Sequence, residues 1–274
     1  METTQKTAVI TGATSGLGEA AALALAQEGH RVLLVGRDAA RGAEVVRRVR
    51  EAGGEAELLV ADLFSRADLA RLVGEIRARA ARLDVLVNNA GGSFSAQVRT
   101  PDGLERTFAL NVAAPYALVE GLVDALASAR GRVVNVVTGV PHKARATVEE
   151  LVGPGAKAGM GGYIRSKLAL LALTRAWQRR YGDRGVTFVA LHPGIIPGTR
   201  FGQETPAWIR AVGEAIARLF RLASTREQAA ARYLSVATGP VDAGGFYYEG
   251  KLRPPPAQAE DEAFAAGLRA ALAR

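Results

Sequence analysis

Cysteine is absent from the 274 residues. Disulfides, thiolate nucleophiles and thiolate-ligated metal sites are therefore excluded, and the chain has no need of an oxidising compartment. Histidine is scarce. His30, His142 and His192 sit in separate segments without the paired spacing of a metal site, so no metal is expected. His192 reads as a structural residue at a strand end. No uninterrupted apolar run approaches the roughly 20 residues of a membrane span, so no integral membrane segment is expected. The first strand begins near Thr7, which leaves no room for a signal peptide ahead of it. A cytoplasmic location is the default expectation. Blocks of like charge are also missing. The net charge of +8 is distributed as mixed charges on helix faces, without a basic motif, so no nucleic-acid partner is expected.

What the chain does contain is alternation. Short β-branched runs at 7–10, 31–35, 56–60, 85–87, 132–137, 186–191 and 245–247 read as strands. Between them, amphipathic stretches near 17–28, 39–51, 66–81, 103–127 and 162–181 read as helices. Strand-helix-strand in regular order implies right-handed crossovers and a parallel sheet. Val32-Leu33-Leu34-Val35 lacks polar alternation, as expected of a strand covered on both faces. The fold class is α/β: a three-layer, doubly wound parallel sheet of Rossmann-like type in a single domain. Residues 1–250 are expected to carry it, and 251–274 to form a C-terminal tail. In that tail Pro254-Pro255-Pro256 makes a stiff break. A short helix follows, with Phe264, Leu268 and Leu272 on one side to dock on the core.

The first strand runs into Thr11-Gly12-Ala13-Thr14-Ser15-Gly16-Leu17-Gly18 and then a helix. Glycines at such a junction let the backbone turn tightly, and the helix start presents free N–H groups to a pyrophosphate. Gly12, Thr14, Ser15, Gly16, Leu17 and Gly18 are accordingly candidate dinucleotide contacts. The second strand ends in Gly36-Arg37. A carboxylate at this strand end would hold the 2′-hydroxyl of NAD, whereas a guanidinium pairs with a 2′-phosphate. Arg37, assisted by Arg41 and Ser15, therefore favours NADP(H).

The TGxxxGxG pattern resembles that of the short-chain dehydrogenase/reductase family, and further matches follow in order. Asp62-Leu63 looks like the family's adenine-contacting pair. Asn88-Asn89-Ala90-Gly91 matches its NNAG motif, and Asn111 its structural and catalytic asparagine. Tyr163 and Lys167 match its YxxxK pair, and His192-Pro193-Gly194 the Pro-Gly turn beside the nicotinamide. The resemblance covers about residues 7–250. A looser one, to the retinol dehydrogenase and WW-domain oxidoreductase branch, rests on the long gap before the tyrosine, the HPG turn and Gly245-Phe246-Tyr247-Tyr248.

The family resemblance implies interconversion of an alcohol and a carbonyl. Asn89, Ala90, Gly91, Pro193, Gly194 and Ile196 would line the cofactor together with the glycine motif, Asp62, Leu63, Tyr163 and Lys167. Tyr163 and Lys167, four residues apart, share one helix face. A neighbouring ammonium is expected to lower the phenol's pKa from its ordinary value of about 10. Tyr163 would donate the proton in reduction and act as base in oxidation. The resemblance also implies that Lys167 holds the ribose hydroxyls and that Asn111 holds a water joining Lys167 to solvent.

Two departures stand out. The family's serine after the fifth strand corresponds to Thr138, which has the same hydrogen-bonding capacity with a stiffer χ1. Thr138 is either a functional substitute or a strand-end cap. In the second case the chain is a non-catalytic or weakly active NADP-binding sensor or scaffold. The threonine usual five residues after the proline is here Gly198, with Thr199 one further, a candidate cofactor contact.

On the substrate side, 195–222 reads as a lid insertion. In it Thr205-Pro206 starts a helix carrying Trp208, Val212, Ile216 and Leu219 on one face. That helix is a roof over an apolar carbonyl or alcohol, a membrane-surface helix or a core-packing helix. The Gly159–Gly162 run before Tyr163 reads as a mobile substrate loop or simply a turn into the helix. Family resemblance implies a homodimer or homotetramer through the 103–127 and 162–181 helices.

Overall fold

A computed structural model describes residues 5–194 and 224–273. The central sheet is built from β1 (Thr7–Thr11), β2 (Arg31–Gly36), β3 (Glu55–Val60), β4 (Val85–Asn88), β5 (Arg132–Val136), β6 (Thr187–His192), β7 (Phe246–Tyr248) and β8 (Lys251–Arg253). Its order is β3-β2-β1-β4-β5-β6-β7-β8. Each neighbouring pair is parallel except β7 and β8. Among the described residues the α-helices are α1 (Gly16–Gln27), α2 (Ala39–Glu51), α3 (Arg66–Arg79), α4 (Arg106–Ala129), α5 (Val148–Val152), α6 (Gly159–Tyr181), α7 (Arg226–Thr238) and α8 (Glu262–Leu272). The three-layer parallel architecture expected from the alternation is the one observed.

The two cores follow from strand geometry. Successive side chains of a strand point to opposite faces. Val9, Leu33 and Val35 thus join one cluster, with residues of α3, α4 and α6. Ala8, Ile10, Val32 and Leu34 join the other, with residues of α1, α2 and α7. Both clusters are mostly aliphatic, with Phe108, Trp177 and Phe188 among the aromatics of the α6-side one, and their burial on folding is the dominant stabilising contribution in such a sandwich.

Among the described residues, the longer or sheet-forming elements not expected from the sequence are α5, α7, the antiparallel edge strand β8 and a π-helical turn, Ala109–Ala113, inside α4. α4 also qualifies the expectation about apolar runs. Its 24 residues are long and apolar enough, by length and composition, to cross a membrane. Half of its most apolar stretch is buried, and the helix packs on α3 and through the Glu120 carboxylate on α6. That carboxylate accepts from Trp177 Nε1 and from the Tyr181 hydroxyl, each at 2.8 Å. The C-terminal helix α8 is capped by Asp261 and buries Phe264 and Leu268 in the α6-side core.

The strand order reverses direction of growth at β1, so the crossovers leaving β1 and β4 go to opposite faces. A crevice opens beyond the carboxyl ends of these strands, the place where such sheets hold their ligands.

Candidate active site

The glycine segment lies at the mouth of that crevice. Gly12 has φ +65° and Gly16 φ +62°, conformations that side chains disfavour. The third glycine is required by packing. A Cβ on Gly18 would stand 2.4 Å from the Gly12 carbonyl oxygen and 2.5 Å from Asn89 Nδ2. Asn89 reaches back from the end of β4 to knit the turn together. Its Nδ2 donates to the carbonyls of Thr11 (2.8 Å) and Gly12 (3.4 Å). The Ala90 N–H donates to Thr11 Oγ1 (3.0 Å).

The start of α1 differs from the other long helices on its side of the sheet. Asp38 caps α2 and Thr225 caps α7 with a side-chain oxygen, but Ser15 makes no such bond at α1. The first N–H groups of α1 thus stay available to an anion, and a Cβ at Gly16 would meet nothing within 4 Å. This open, uncapped helix start fits a dinucleotide pyrophosphate.

At the end of β2, Gly36 has no room for a side chain, because Thr14 Cγ2 would lie 2.4 Å from its Cβ. Arg37 follows, exposed, with its guanidinium 5.5 Å from the centre of the Phe64 ring. Among the described residues it forms no ion pair. Arg41 is paired with Asp38 at 2.7 Å. Asp62 is exposed and receives the Phe64 N–H (3.1 Å), while Leu63 is buried. Phe64 packs edge-on to Phe94 (5.6 Å between centroids), and Arg106 lies over both rings.

The second half of the site is assembled by α4, β5 and α6. The π turn in α4 carries Asn111, fully buried. Its Oδ1 accepts from the Gly92 N–H (3.0 Å), and its Nδ2 donates to the Gly92 carbonyl and to Ser166 Oγ, both at 2.9 Å. Ser166 Oγ donates in turn to the Tyr163 carbonyl (2.7 Å). Lys167, one helical turn after Tyr163, is buried and donates from Nζ to the Val136 carbonyl at 2.8 Å. Gly91 sits against both groups. A Cβ there would stand 3.0 Å from Asn111 Oδ1 and 3.0 Å from Lys167 Nζ. Thr138, just past β5, is hydrogen-bonded through its side chain to Tyr163.

Electrostatics at this pair differ from the sequence expectation. Burial pushes the Tyr163 phenol up to about 12, and the Thr138 bond only partly offsets it. Burial also brings Lys167 down to about 7. The ammonium is directed at the Val136 carbonyl and lies 5.8 Å from the centre of the Tyr163 ring, so it does not lower the phenol as a close, solvated charge would.

The glycines before Tyr163 form the turn into α6. Gly159 has φ +79° and its N–H donates to the Phe94 carbonyl (2.6 Å). Gly162 lies so close to the Lys157 carbonyl that a Cβ would approach it to 2.1 Å. His192 is buried at the end of β6, its ring 4.5 Å from that of Tyr248, and burial lowers its pKa. Gly194 has φ +105°, and the Pro193 carbonyl accepts from Arg232 Nη1 (2.6 Å). Ile196, Thr199 and the lid helix at 205–222 lie outside the described residues.

The structure thus brings Asn111, Thr138, Tyr163 and Lys167 into one neighbourhood, with the glycine turn on the other side of the β1–β4 crevice. The sequence model of the short chain dehydrogenase family matches residues 6–210. The chain belongs to this family. Among individual relatives, retinol dehydrogenase 13 of Homo sapiens is 31% identical over 98% of this chain and 84% of its own length. The 3beta-hydroxysteroid dehydrogenase of Mediterraneibacter gnavus is 31% identical over 80% of this chain and 74% of its own. Among solved structures of the same fold, a blue fluorescent protein from a metagenomic library in complex with NADPH superposes with a TM-score of 0.70. It is 26% identical, covering 89% of this chain and 95% of that one. The retinol dehydrogenase match agrees with the looser resemblance seen in the motifs.

Several residues beside the family's motifs were passed over in the sequence. Ser166 and Phe64 are motif neighbours whose spacing marks nothing by itself. Tyr233 and Arg232 lie on α7, far from every motif, and reach the site only through the tertiary fold. The Tyr233 hydroxyl donates to Asn89 Oδ1 at 2.8 Å. No pattern in the sequence signals that contact.

Proposed function

We propose that this protein is an NADP(H)-dependent oxidoreductase that interconverts an alcohol and a carbonyl on an apolar substrate. The observation carrying the reading is the joined hydroxyl pair Thr138–Tyr163, with Lys167 one helical turn away, at the carboxyl ends of β5 and β4.

The uncapped start of α1, with Gly12 and Gly16 in conformations suited to a tight turn, would hold the pyrophosphate. Arg37, exposed and without a carboxylate partner among the described residues, would pair with a 2′-phosphate. The dinucleotide, when bound, supplies the hydride in reduction and takes it up in oxidation. Tyr163 is the proton donor to the carbonyl oxygen. Near neutrality the phenol is in the protonated form that proton donation requires, although burial raises its pKa and so weakens it as an acid. Thr138 orients that phenol and offers a second donor to the same oxygen. Lys167 lies beside Gly91 and Asn111, where it would hold the ribose and pass protons.

An apolar substrate is supported by the names of relatives, since retinol and 3β-hydroxysteroids are bulky, apolar alcohols. Met160, 58% exposed and three residues before Tyr163, is an exposed apolar side chain at the same helix start.

The decisive experiment is a panel of apolar ketones, aldehydes and alcohols assayed with NADPH and NADP, comparing wild type with Tyr163→Phe. The variant should bind NADPH as wild type does and lose turnover. Equal turnover would overturn the assigned chemistry. NADPH binding by wild type without turnover on the whole panel would favour the sensor or scaffold alternative.

A further inference from the structure

Tyr233 lies in the middle of α7 with 1% of its surface exposed. A phenol so deeply buried needs a partner for its hydroxyl. That partner is Asn89 Oδ1, at 2.8 Å. Burial pushes the phenol's pKa far up, with proximity to Tyr163 adding to the effect, so the group stays an O–H donor.

The Asn89 amide is fully engaged. Its nitrogen serves the carbonyls of Thr11 and Gly12, and its oxygen serves Tyr233. The opposite amide orientation would set an oxygen against two carbonyl oxygens, so Tyr233 and the glycine turn together define one orientation. The start of α1 closes over this amide, because Gly18 has no side chain to hold it away. One amide therefore connects β1, α1, β4 and α7.

α7 is itself well fixed. Thr225 and Gln228 form a capping box at its start, and Arg132 Nη1 donates to the Val236 and Gly239 carbonyls at its end. The residue before Tyr233 works on the opposite wall, since Arg232 Nη1 donates to the Pro193 carbonyl and to Ser224 Oγ. Adjacent positions of one helix thus hold the glycine turn and the Pro-Gly turn.

We propose that Tyr233 is a positioning residue for dinucleotide binding, acting through the Asn89 amide to fix the Thr11–Gly12 turn. The role rests on the functional reading above. It predicts that Tyr233→Phe, which keeps the ring and deletes the hydroxyl, loosens the turn without disturbing the Thr138–Tyr163 pair.

The test is a double-variant cycle with Asn89→Ala, read by NADPH binding in fluorescence titration and by amide hydrogen exchange of the unliganded protein. Tyr233→Phe should raise the NADPH Kd by about fivefold, the range set by losing one buried hydrogen bond, with kcat at saturating cofactor unchanged. In the Asn89→Ala background the same change should add nothing. Exchange should quicken in the peptide spanning 11–18 and stay unchanged in the peptide spanning 168–177. Additive effects on Kd, an unchanged Kd, or faster exchange throughout the protein would overturn the inference and leave the functional reading standing. A wild-type protein that binds no NADPH would overturn both, and the exchange pattern would then show whether Tyr233 still orders the turn.

Discussion

Thr138 and Tyr163 share a hydrogen bond between their side chains, one just past β5 and the other near the start of α6. The sequence left two roles open for Thr138, a working hydroxyl or a strand-end cap. The contact supports the first. The extra methyl and the restricted χ1 of a β-branched residue do not prevent the hydroxyl from pointing at the phenol.

Thr138→Val keeps the shape and removes the hydroxyl, so it isolates that bond. Its kcat/KM on the best carbonyl substrate should fall by about 10²–10³, the usual loss when one donor to a reacting oxygen is removed. Thr138→Ser should keep most of the activity, and NADPH affinity should stay near wild type in both variants. Steady-state kinetics with parallel cofactor titration checks this. A fully active valine variant would return Thr138 to the strand-end cap.

Lys167 makes folding stability depend on pH. Its pKa falls from 10.5 to about 7 on folding, because burial penalises the charged amine. Between these values the unfolded chain binds more protons than the folded one, so stability rises with pH. The contribution is complete above the ordinary lysine value and is lost as pH falls through about 7. Tyr163 acts in the opposite sense, but only above its ordinary value of 10.0, since its folded pKa is raised to about 12. Denaturant unfolding of the unliganded protein and of Lys167→Met from pH 7 to 10 should give a stability difference that climbs with pH in favour of wild type. A difference that is flat across that range would show the amine remains charged in the folded protein.

The parts of this molecule that were legible in the sequence are those written in local pattern. Val32 to Val35 announced a strand buried on both faces, and both cores contain its residues. The glycine segment, Asn111, Thr138, Tyr163 and Lys167 were each identifiable by position, and the fold brings them to one crevice. The missing parts depend on tertiary context. The π turn at Asn111 arises in a stretch that reads as ordinary helix. β8 is three exposed residues, Lys251–Arg253, with no pattern of their own. The Tyr163 phenol was misjudged because spacing shows which residues share a helix face but says nothing of their burial. Here burial raises the phenol, and only the Thr138 hydrogen bond offsets it in part. Tyr233 was invisible for the same kind of reason, since its partner lies 144 positions away.

In the proposed function, sterics as well as charge at the end of β2 would bear on cofactor choice. An acidic residue in place of Gly36 would favour NADH by binding the ribose hydroxyl and repelling a 2′-phosphate. That position is closed by Thr14, whose Cγ2 would stand 2.4 Å from the new Cβ. Gly36→Asp alone should therefore destabilise the protein by about 1–3 kcal/mol through overpacking, and bind both dinucleotides poorly. Thr14→Ser removes the offending methyl and keeps the hydroxyl. The double variant Gly36→Asp/Thr14→Ser should regain most of the lost stability in denaturant unfolding. Its ratio of NADPH to NADH affinity should drop on the order of tenfold or more, the effect of exchanging a neutral position for a charge beside a phosphate. If Gly36→Asp alone switched the preference with no loss of stability, Thr14 would not be the barrier. If the double variant kept its preference for NADPH, Arg37 would dominate the choice irrespective of what stands at 36.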